Sequence, residues 1–302
     1  MSWLSELKVE KILTDGDLDG VLGGAILLRA FPDADVKFGH PGALKDGMLD
    51  YWIDSSTAIC DLPHHPSCGL SIDHHLSNKP SENERRANRI WRSSPSAARV
   101  AANLFKDRLD LSDLESALYW TDKLDSGDIT RDEYLSDEPM VWIGRCLGVS
   151  EGVALRVLKL FTEGYSIDDI VNDVIVSDAI STRKTENEIL AREIENRIDV
   201  IDRMAIVRMN DLGMRSNGYA ITAFAGDDCD ACMIIHGSLD GSFDNGLDYP
   251  VSASFYTNSF LHKNGGLFDL TKLATRFDVD GGGHRDACGC RNKPLENGLQ
   301  VE

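Results

Sequence analysis

Asp15, Asp17 and Asp19 alternate in the run DGDLDG, directly behind the apolar stretch Val9 to Thr14. Carboxylates at that spacing repel one another unless a cation or hydrogen-bond donors compensate them, so the turn is a candidate for divalent metal. A solvated acidic turn is the plain alternative. A calcium loop of the EF-hand kind fits less well, because Leu18, Val21 and the apolar run after Gly20 stand where further oxygen ligands and a closing glutamate are needed. Two more apolar runs end in similar residues: TAIC is followed by Asp61, and GLSI by Asp73, His74 and His75. A lone buried histidine is more often a satisfied core residue than a ligand, but this pair follows an aspartate and precedes no apolar face. Imidazole with carboxylate suits manganese, zinc or iron, whereas carboxylates alone lean to magnesium or calcium. Manganese is the expected ion, with magnesium, zinc and iron as alternatives.

Such residues need a scaffold that brings separated strand ends to one edge. The first third of the chain alternates short apolar runs with helical patterns, the signature of βαβ units and a mainly parallel sheet. Val9 to Thr14, Val36 to Gly39, Thr57 to Cys60 and Leu70 to Ile72 are predicted strands, and Val21 to Ala30 is a predicted helix whose glycines allow close packing on the sheet. Open α/β sheets bind ligands beyond the carboxyl ends of their strands, which is where the aspartates and histidines fall. Helical spacing recurs over Ser96 to Leu109, Asp113 to Leu124 and Val153 to Phe161. The charged stretch Ser181 to Ile201 reads as a connecting helix with a solvated face. Met204 to Met209, Tyr219 to Phe224, Cys232 to Ile235 and Val251 to Tyr256 read as strands or short buried elements, followed by a helix over Phe268 to Phe277. The expected fold is α/β: a mainly parallel-sheet domain with flanking helices over 1–180, a connecting helix over 181–203, and a smaller α/β domain over 204–302.

With 302 residues and 42% hydrophobic content, disorder is excluded as the default and two domains are expected. No apolar run approaches the roughly 20 residues of a membrane span. The N-terminus lacks the basic-then-apolar pattern of a secretory signal, so a cytoplasmic location and no membrane partner are expected. A net charge of -19 opposes tight nonspecific binding of long nucleic acid, which depends on many Lys and Arg contacts to phosphate. Seven cysteines without a regular framework suit a reducing compartment. The pairs Cys229/Cys232 and Cys288/Cys290 could supply four thiolates to structural zinc, but reduced thiols within or beside strands are the preferred reading.

The triplet Asp73, His74 and His75 resembles the signature of the DHH phosphoesterase superfamily. The resemblance lies in order and context: an aspartate-rich turn, a strand-terminal aspartate, the triplet, and a further aspartate in LDSG at Asp125, with Asp122 as the competing assignment. GGGHRDACG, from Gly281 to Gly289, is similar to the GGGH motif of the family's C-terminal associated domain, so the resemblance covers nearly the whole chain. It implies two divalent ions bridged by a shared carboxylate, for which Asp61 is the expected bridge. His74, Asp15, Asp17 and Asp125 are the other expected ligands, with Asp19 holding the turn through hydrogen bonds. His75 is expected to face the substrate and Asp73 to orient an imidazole. Gly281, Gly282, Gly283 and His284 are expected to grip a phosphate or nucleotide across an interdomain cleft.

The implied activity is two-metal hydrolysis of short oligonucleotides or small phosphodiesters, as in nanoRNase-like exonucleases. Three departures bear on the substrate. KILT lacks the histidine with which many small-substrate members begin their first motif, so DGDLDG is closer to the acidic form of RecJ-type exonucleases. VSASFYTN lacks an arginine that relatives often place there, and no additional oligonucleotide-binding domain is evident. A RecJ-like single-strand exonuclease is therefore the alternative within the class. Outside it stand a catalytically degenerate protein that binds nucleotides or a replication partner, and a zinc-stabilised interaction module. A homodimer and a nucleic-acid-processing partner protein are both compatible with these readings.

Overall fold

The computed structural model describes residues 4, 6–238, 241, 250–279 and 281–291. The chain divides into two compact units, one of Met1–Asp128 and Ser136–Arg183, the other of Ile129–Leu135 and Lys184–Glu302. Ile129–Leu135, within the first domain as expected from sequence, thus goes with the second unit.

The first unit is built on five parallel strands, β1 (Lys11–Asp15), β2 (Asp35–Gly39), β3 (Thr57–Cys60), β4 (Leu70–Asp73) and β5 (Arg89–Trp91), in the order β2-β1-β3-β4-β5. Its side chains alternate between two cores, as the two-residue period of a strand requires. Ile12, Ala58 and Cys60 join a large cluster on one face. Leu13 and Ile59 meet Leu44, Leu49, Ile53 and Leu62 on the other. Helix α1 (Leu18–Ala30) is buried from Leu18 to Leu27 and packs against α3 (Ala97–Phe105), α4 (Glu115–Ser126) and α7 (Glu151–Glu163). An apolar helix of this kind belongs inside the layers rather than at the surface. α2 (Pro41–Lys45), α6 (Pro139–Cys146) and α8 (Ile167–Asn172) complete the unit, and α9 (Val174–Arg197) runs on into the second.

The second unit carries a mixed sheet of β6 (Ile198–Ile201), β7 (Met204–Arg208), β8 (Ala231–His236), β9 (Ser252–Thr257), β10 (Gly282–His284) and β11 (Ala287–Arg291), ordered β10-β11-β9-β8-β7-β6. Among these strands only β7 and β8 run parallel. Its helices are α5 (Arg131–Leu135), α10 (Gly218–Ala225) and α11 (Thr271–Phe277). α5 is held by Arg131 Nε donating to the Ala223 carbonyl at 2.5 Å and by Tyr134 stacked on Tyr219. Among the described residues, no helix is long and apolar enough to cross a membrane.

One sequence expectation is narrowed and another corrected. Tyr219 to Phe224, read as a strand or a short buried element, lies in α10: Asn217 caps the helix by accepting from Ala220 N, and three alanines offset the β propensity of Tyr, Ile and Phe. The connecting helix ends at Arg197 rather than continuing to Ile201. Ile198–Ile201 instead pairs antiparallel with β7 through a two-residue turn in which Asp202 and Arg203 have φ of 48° and 67°. Such a turn usually announces itself by Asn-Gly or Asp-Gly, and Asp-Arg does not.

The zinc alternative also loses its geometry. Cys229 and Cys232 belong to one hydrophobic cluster, and Cys288 and Cys290 to another beneath α11. All seven cysteines are free and buried.

Candidate metal centre

β1, β3 and β4 end side by side, and each delivers its acidic residue to the same edge of the sheet. Asp15 closes β1, with its Oδ1 accepting from Gly16 N at 2.6 Å. Asp17 caps α1 by accepting from Gly20 N at 2.9 Å. Asp61 follows β3 and has φ 59°, a left-handed conformation that costs roughly 1–2 kcal/mol for an L-residue. Its backbone is held there by Asp61 N donating to the Ile72 carbonyl at 3.0 Å, and the residue is only 3% exposed. Strain of this kind persists where the surroundings over-determine it, typically at functional positions.

The triplet is organised by its own backbone. Asp73 Oδ1 accepts from His74 N at 2.7 Å, His75 N at 3.0 Å and His75 Nδ1 at 3.0 Å, so the aspartate fixes both the turn and the second imidazole. His74 Nδ1 donates to the Ser94 carbonyl at 3.1 Å, which leaves Nε2 with a lone pair aimed into the cluster. That Nε2 lies 3.2 Å from Asp125 Oδ2, 3.5 Å from Asp19 Oδ2 and 3.8 Å from Asp61 Oδ1. Ligand-type atoms of Asp61, His74 and His75 fall within 4.8 Å of one another, as do those of Asp19, His74 and Asp125.

Asp125 and Asp122 lie one turn apart on α4 and serve different ends. Asp122 accepts from Ser96 Oγ at 2.6 Å and Arg99 Nε at 2.9 Å, fixing the start of α3. Asp125 faces His74. Asp19 is buried against the same helix start, its two oxygens accepting from Ala97 N and Ala98 N at 2.6 Å each. The sequence assigned Asp19 to the turn, but its hydrogen bonds run to the positive end of a helix almost eighty residues onward in the chain.

The carboxylates are electrostatically uncomfortable as they stand. Burial, with Asp17 beside it, pushes Asp15 up to about 6. Burial likewise raises Asp125 to about 6. Asp19 and Asp61 are driven well above the ordinary carboxylate range by burial first and by their acidic neighbours second. For His75 the hydrogen bond to Asp73 dominates and raises it, favouring the imidazolium.

The fit to metal rests on the orphaned atoms. Asp61 Oδ1 and His74 Nε2 are buried without a hydrogen-bond partner. Buried polar atoms are rarely left so, and an oxygen and an imidazole nitrogen facing one another among raised carboxylates form a donor set for a divalent cation.

His40 was missed from sequence. It directly follows β2, whose Gly39 pairs with Asp15, and its Nδ1 accepts from Ala43 N at 3.2 Å as the cap of α2. Its position behind a strand end was the available signal. The Ser94 carbonyl had none, since a backbone oxygen carries no sequence mark.

In the second unit, Gly282–His284 of the GGGH run form strand β10 of a hairpin with β11. A Cβ on Gly281 would lie 2.7 Å from the Ala274 carbonyl oxygen, and Gly283 has φ 137° with a Cβ path 2.8 Å from the Ala287 carbonyl oxygen. Those two glycines answer to local packing. Gly282 has open space around its Cβ direction, and the His284 side chain is 71% exposed, with Nδ1 accepting from Asp286 N at 3.3 Å.

No protein-family model and no curated protein matches the sequence. Among solved structures, the chain is similar to PggH, a pGpG-specific phosphodiesterase from Vibrio cholerae, with TM-score 0.75 and 20% identity over 93% of this chain and 92% of that one. It is similar to exonuclease RecJ bound to manganese, with TM-score 0.54 and 14% identity over 97% and 89% of the two chains. It is also similar to the DHH domain of a protein assigned to a family of ribosomal proteins, with TM-score 0.53 and 13% identity over 95% and 83%. The fold is that of the DHH proteins, as the motifs indicated.

Proposed function

We propose that the chain is a metal-dependent phosphodiesterase of the DHH kind, acting on short oligonucleotides or small nucleotides. The observation that carries this reading is the pair of buried, unpartnered atoms, Asp61 Oδ1 and His74 Nε2, facing each other within a ring of raised carboxylates. Asp15, Asp17, Asp61, His74 and Asp125 would hold the divalent ions, manganese first. When bound, such ions polarise the phosphoryl oxygens, lower the pKa of water and stabilise charge on the leaving oxygen. The protein's own part is to keep the donors in place. Ser94 fixes the His74 tautomer, and the start of α3 fixes Asp19.

His75 is the substrate-facing group. Asp73 holds a proton on Nδ1 and favours the cation, so the half-exposed ring can donate a hydrogen bond to a nonbridging oxygen or a proton to the leaving group. Gly282 and His284 in the second unit would contact a terminal phosphate or nucleotide, His284 by hydrogen bond or charge. The net charge of -19 favours short substrates over long polyanions.

The acidic first motif, DGDLDG, favours a second reading, a RecJ-like single-strand exonuclease. Metal-defined protein incubated with two- to twenty-nucleotide DNA and RNA separates the two. The primary reading predicts manganese-dependent turnover that falls with length, and processive degradation of the long strands would support the second. No turnover of these substrates or of bis(p-nitrophenyl) phosphate, despite bound manganese, would leave a nucleotide-binding protein without catalysis.

A further inference from the structure

Residues 94–99, the run SPSAAR, reach three separate parts of the candidate metal centre. Pro95 biases Ser94 toward an extended conformation, and Ser96 is extended too, with φ -152° and ψ 157°, before α3 begins at Ala97. Along this short approach the Ser94 carbonyl accepts from His74 Nδ1, just past β4, and the Ala97 and Ala98 N–H groups donate to Asp19 on α1. The third contact is with α4. Ser96 Oγ donates to Asp122 Oδ1 at 2.6 Å, while Arg99 Nε donates to Oδ2 at 2.9 Å and Arg99 Nη2 lies 2.8 Å from the same oxygen. Both oxygens of that carboxylate are thus engaged by the first turn of α3.

Two features set this lock apart from an ordinary helix cap. Ser96 is buried with its hydroxyl used in both directions, accepting from Arg99 N at 3.0 Å and donating to Asp122. The cap at Ser150 instead accepts from Val153 N, within its own helix α7. Asp122 also stands three residues before Asp125 on α4, and residues at that spacing share a helix face. The rotation of α4 that seats Asp122 on α3 therefore also sets Asp125, whose Oδ2 lies 3.2 Å from His74 Nε2. Asp19, His74 and Asp125 form one of the two groups whose ligand-type atoms fall within 4.8 Å of one another. All three are referred to one short piece of backbone.

We propose that Ser96, Arg99 and Asp122 are positioning residues that set the divalent-cation affinity of the centre, by locking α4 to the segment that already holds His74 and Asp19. This rests on the metal-dependent reading of the site. Carboxylates gathered at one point repel one another and separate unless they are held. A donor set kept in register before the cation arrives binds more tightly than one that must be assembled by it. Ser96 supplies the register between α3 and α4, and Arg99 supplies the charge that keeps Asp122 ionised and in place. None of the three touches ion or substrate in this picture.

The test is manganese affinity, measured by competition with a fluorescent chelator on the full chain and on Ser96→Ala, Asp122→Asn, Ser96→Thr and Ser150→Ala, at a temperature where circular dichroism shows each of them folded. Turnover of bis(p-nitrophenyl) phosphate is followed in parallel as manganese is raised. Ser96→Ala and Asp122→Asn should each weaken manganese binding by roughly 10–100-fold, the scale for residues that stand behind metal ligands. Saturating manganese should recover most of kcat in both, with KM unchanged. Ser96→Thr keeps the hydroxyl and should bind as wild type does. Ser150→Ala removes a cap from the same unit and should lower the melting temperature while leaving manganese affinity alone. Wild-type affinity in Ser96→Ala and Asp122→Asn, or an equal loss in Ser150→Ala, would overturn the proposal and leave the metal centre standing. A wild-type chain that binds no manganese would overturn the metal-dependent reading and this inference with it.

Discussion

In sequence the candidate metal centre of the first unit and the GGGH hairpin of the second unit are equally conspicuous, yet they differ in how their residues are held. In the first, three residues are held by backbone from elsewhere in the chain: Ser94 holds the His74 ring, the start of α3 holds the Asp19 carboxylate, and Ile72 holds the backbone of the strained Asp61. Burial there raises the carboxylates and leaves donor atoms unpaired. In the hairpin, two of three glycines meet local backbone needs and His284 stands in solvent. A buried cluster that is costly without a ligand announces chemistry by its own energetics, whereas an exposed motif acquires meaning only with its ligand.

The largest expected effects sharpen that contrast. Asp61→Asn and His74→Ala should each weaken manganese binding by more than about 100-fold, since even outer-shell changes cost 10–100-fold, and should abolish turnover. His75→Ala should lower kcat by roughly 10²–10⁴-fold with metal content intact, as for a general acid. His284→Ala should raise KM for nucleotides while leaving metal content and stability alone. Loss of bound manganese in that variant would break the division between the two regions.

Stability offers smaller differences. Asp19→Ala removes a buried acceptor from two helix-start N–H groups and should cost about 2–4 kcal/mol in urea denaturation. Gly283→Ala should cost roughly 1–2 kcal/mol because of its positive φ, against less than about 0.5 kcal/mol for Gly282→Ala. Equal effects at the two glycines would contradict the local reading of the hairpin.

The pH dependence of the metal-free chain should follow from the raised carboxylates. Asp15 and Asp125, at about 6 when folded, bind protons more tightly than in the unfolded chain. Their contribution is fully present below the unfolded value near 4 and is lost as pH rises through about 6. His75, also raised, acts in the same direction at higher pH. Melting temperature in chelator should therefore decline between about pH 4 and 6, and excess manganese should flatten that decline.

Much of the first unit was legible because its strands are short apolar runs ended by unusual residues. Thr57–Cys60 agrees with its apolar run at both ends, and Asp61, His74 and Asp125 converge from three segments. What stayed hidden depended on contacts between distant residues. Arg89–Trp91 is only three residues long and flanked by Asn88 and Arg92, too short to read as a strand, although it pairs with β4 and sets Trp91 beside His75. Asp125 was the assigned ligand and Asp122 its competitor, and the contacts that separate them, Ser96 and Arg99 on Asp122, come from a distant helix. In the second unit, α10 was left open between a strand and a short buried element because Tyr, Ile and Phe compete with a helix-capping asparagine, and β6 was missed because its turn lacks glycine.

Manganese stoichiometry, measured on dialysed protein and on Asp61→Asn and His74→Ala side by side, tests the central claim most directly. The account predicts two ions per wild-type chain, with occupancy lost when either residue is changed while the folded content by circular dichroism is retained. Wild-type protein that binds no manganese, or variants that bind as much as wild type, would contradict it.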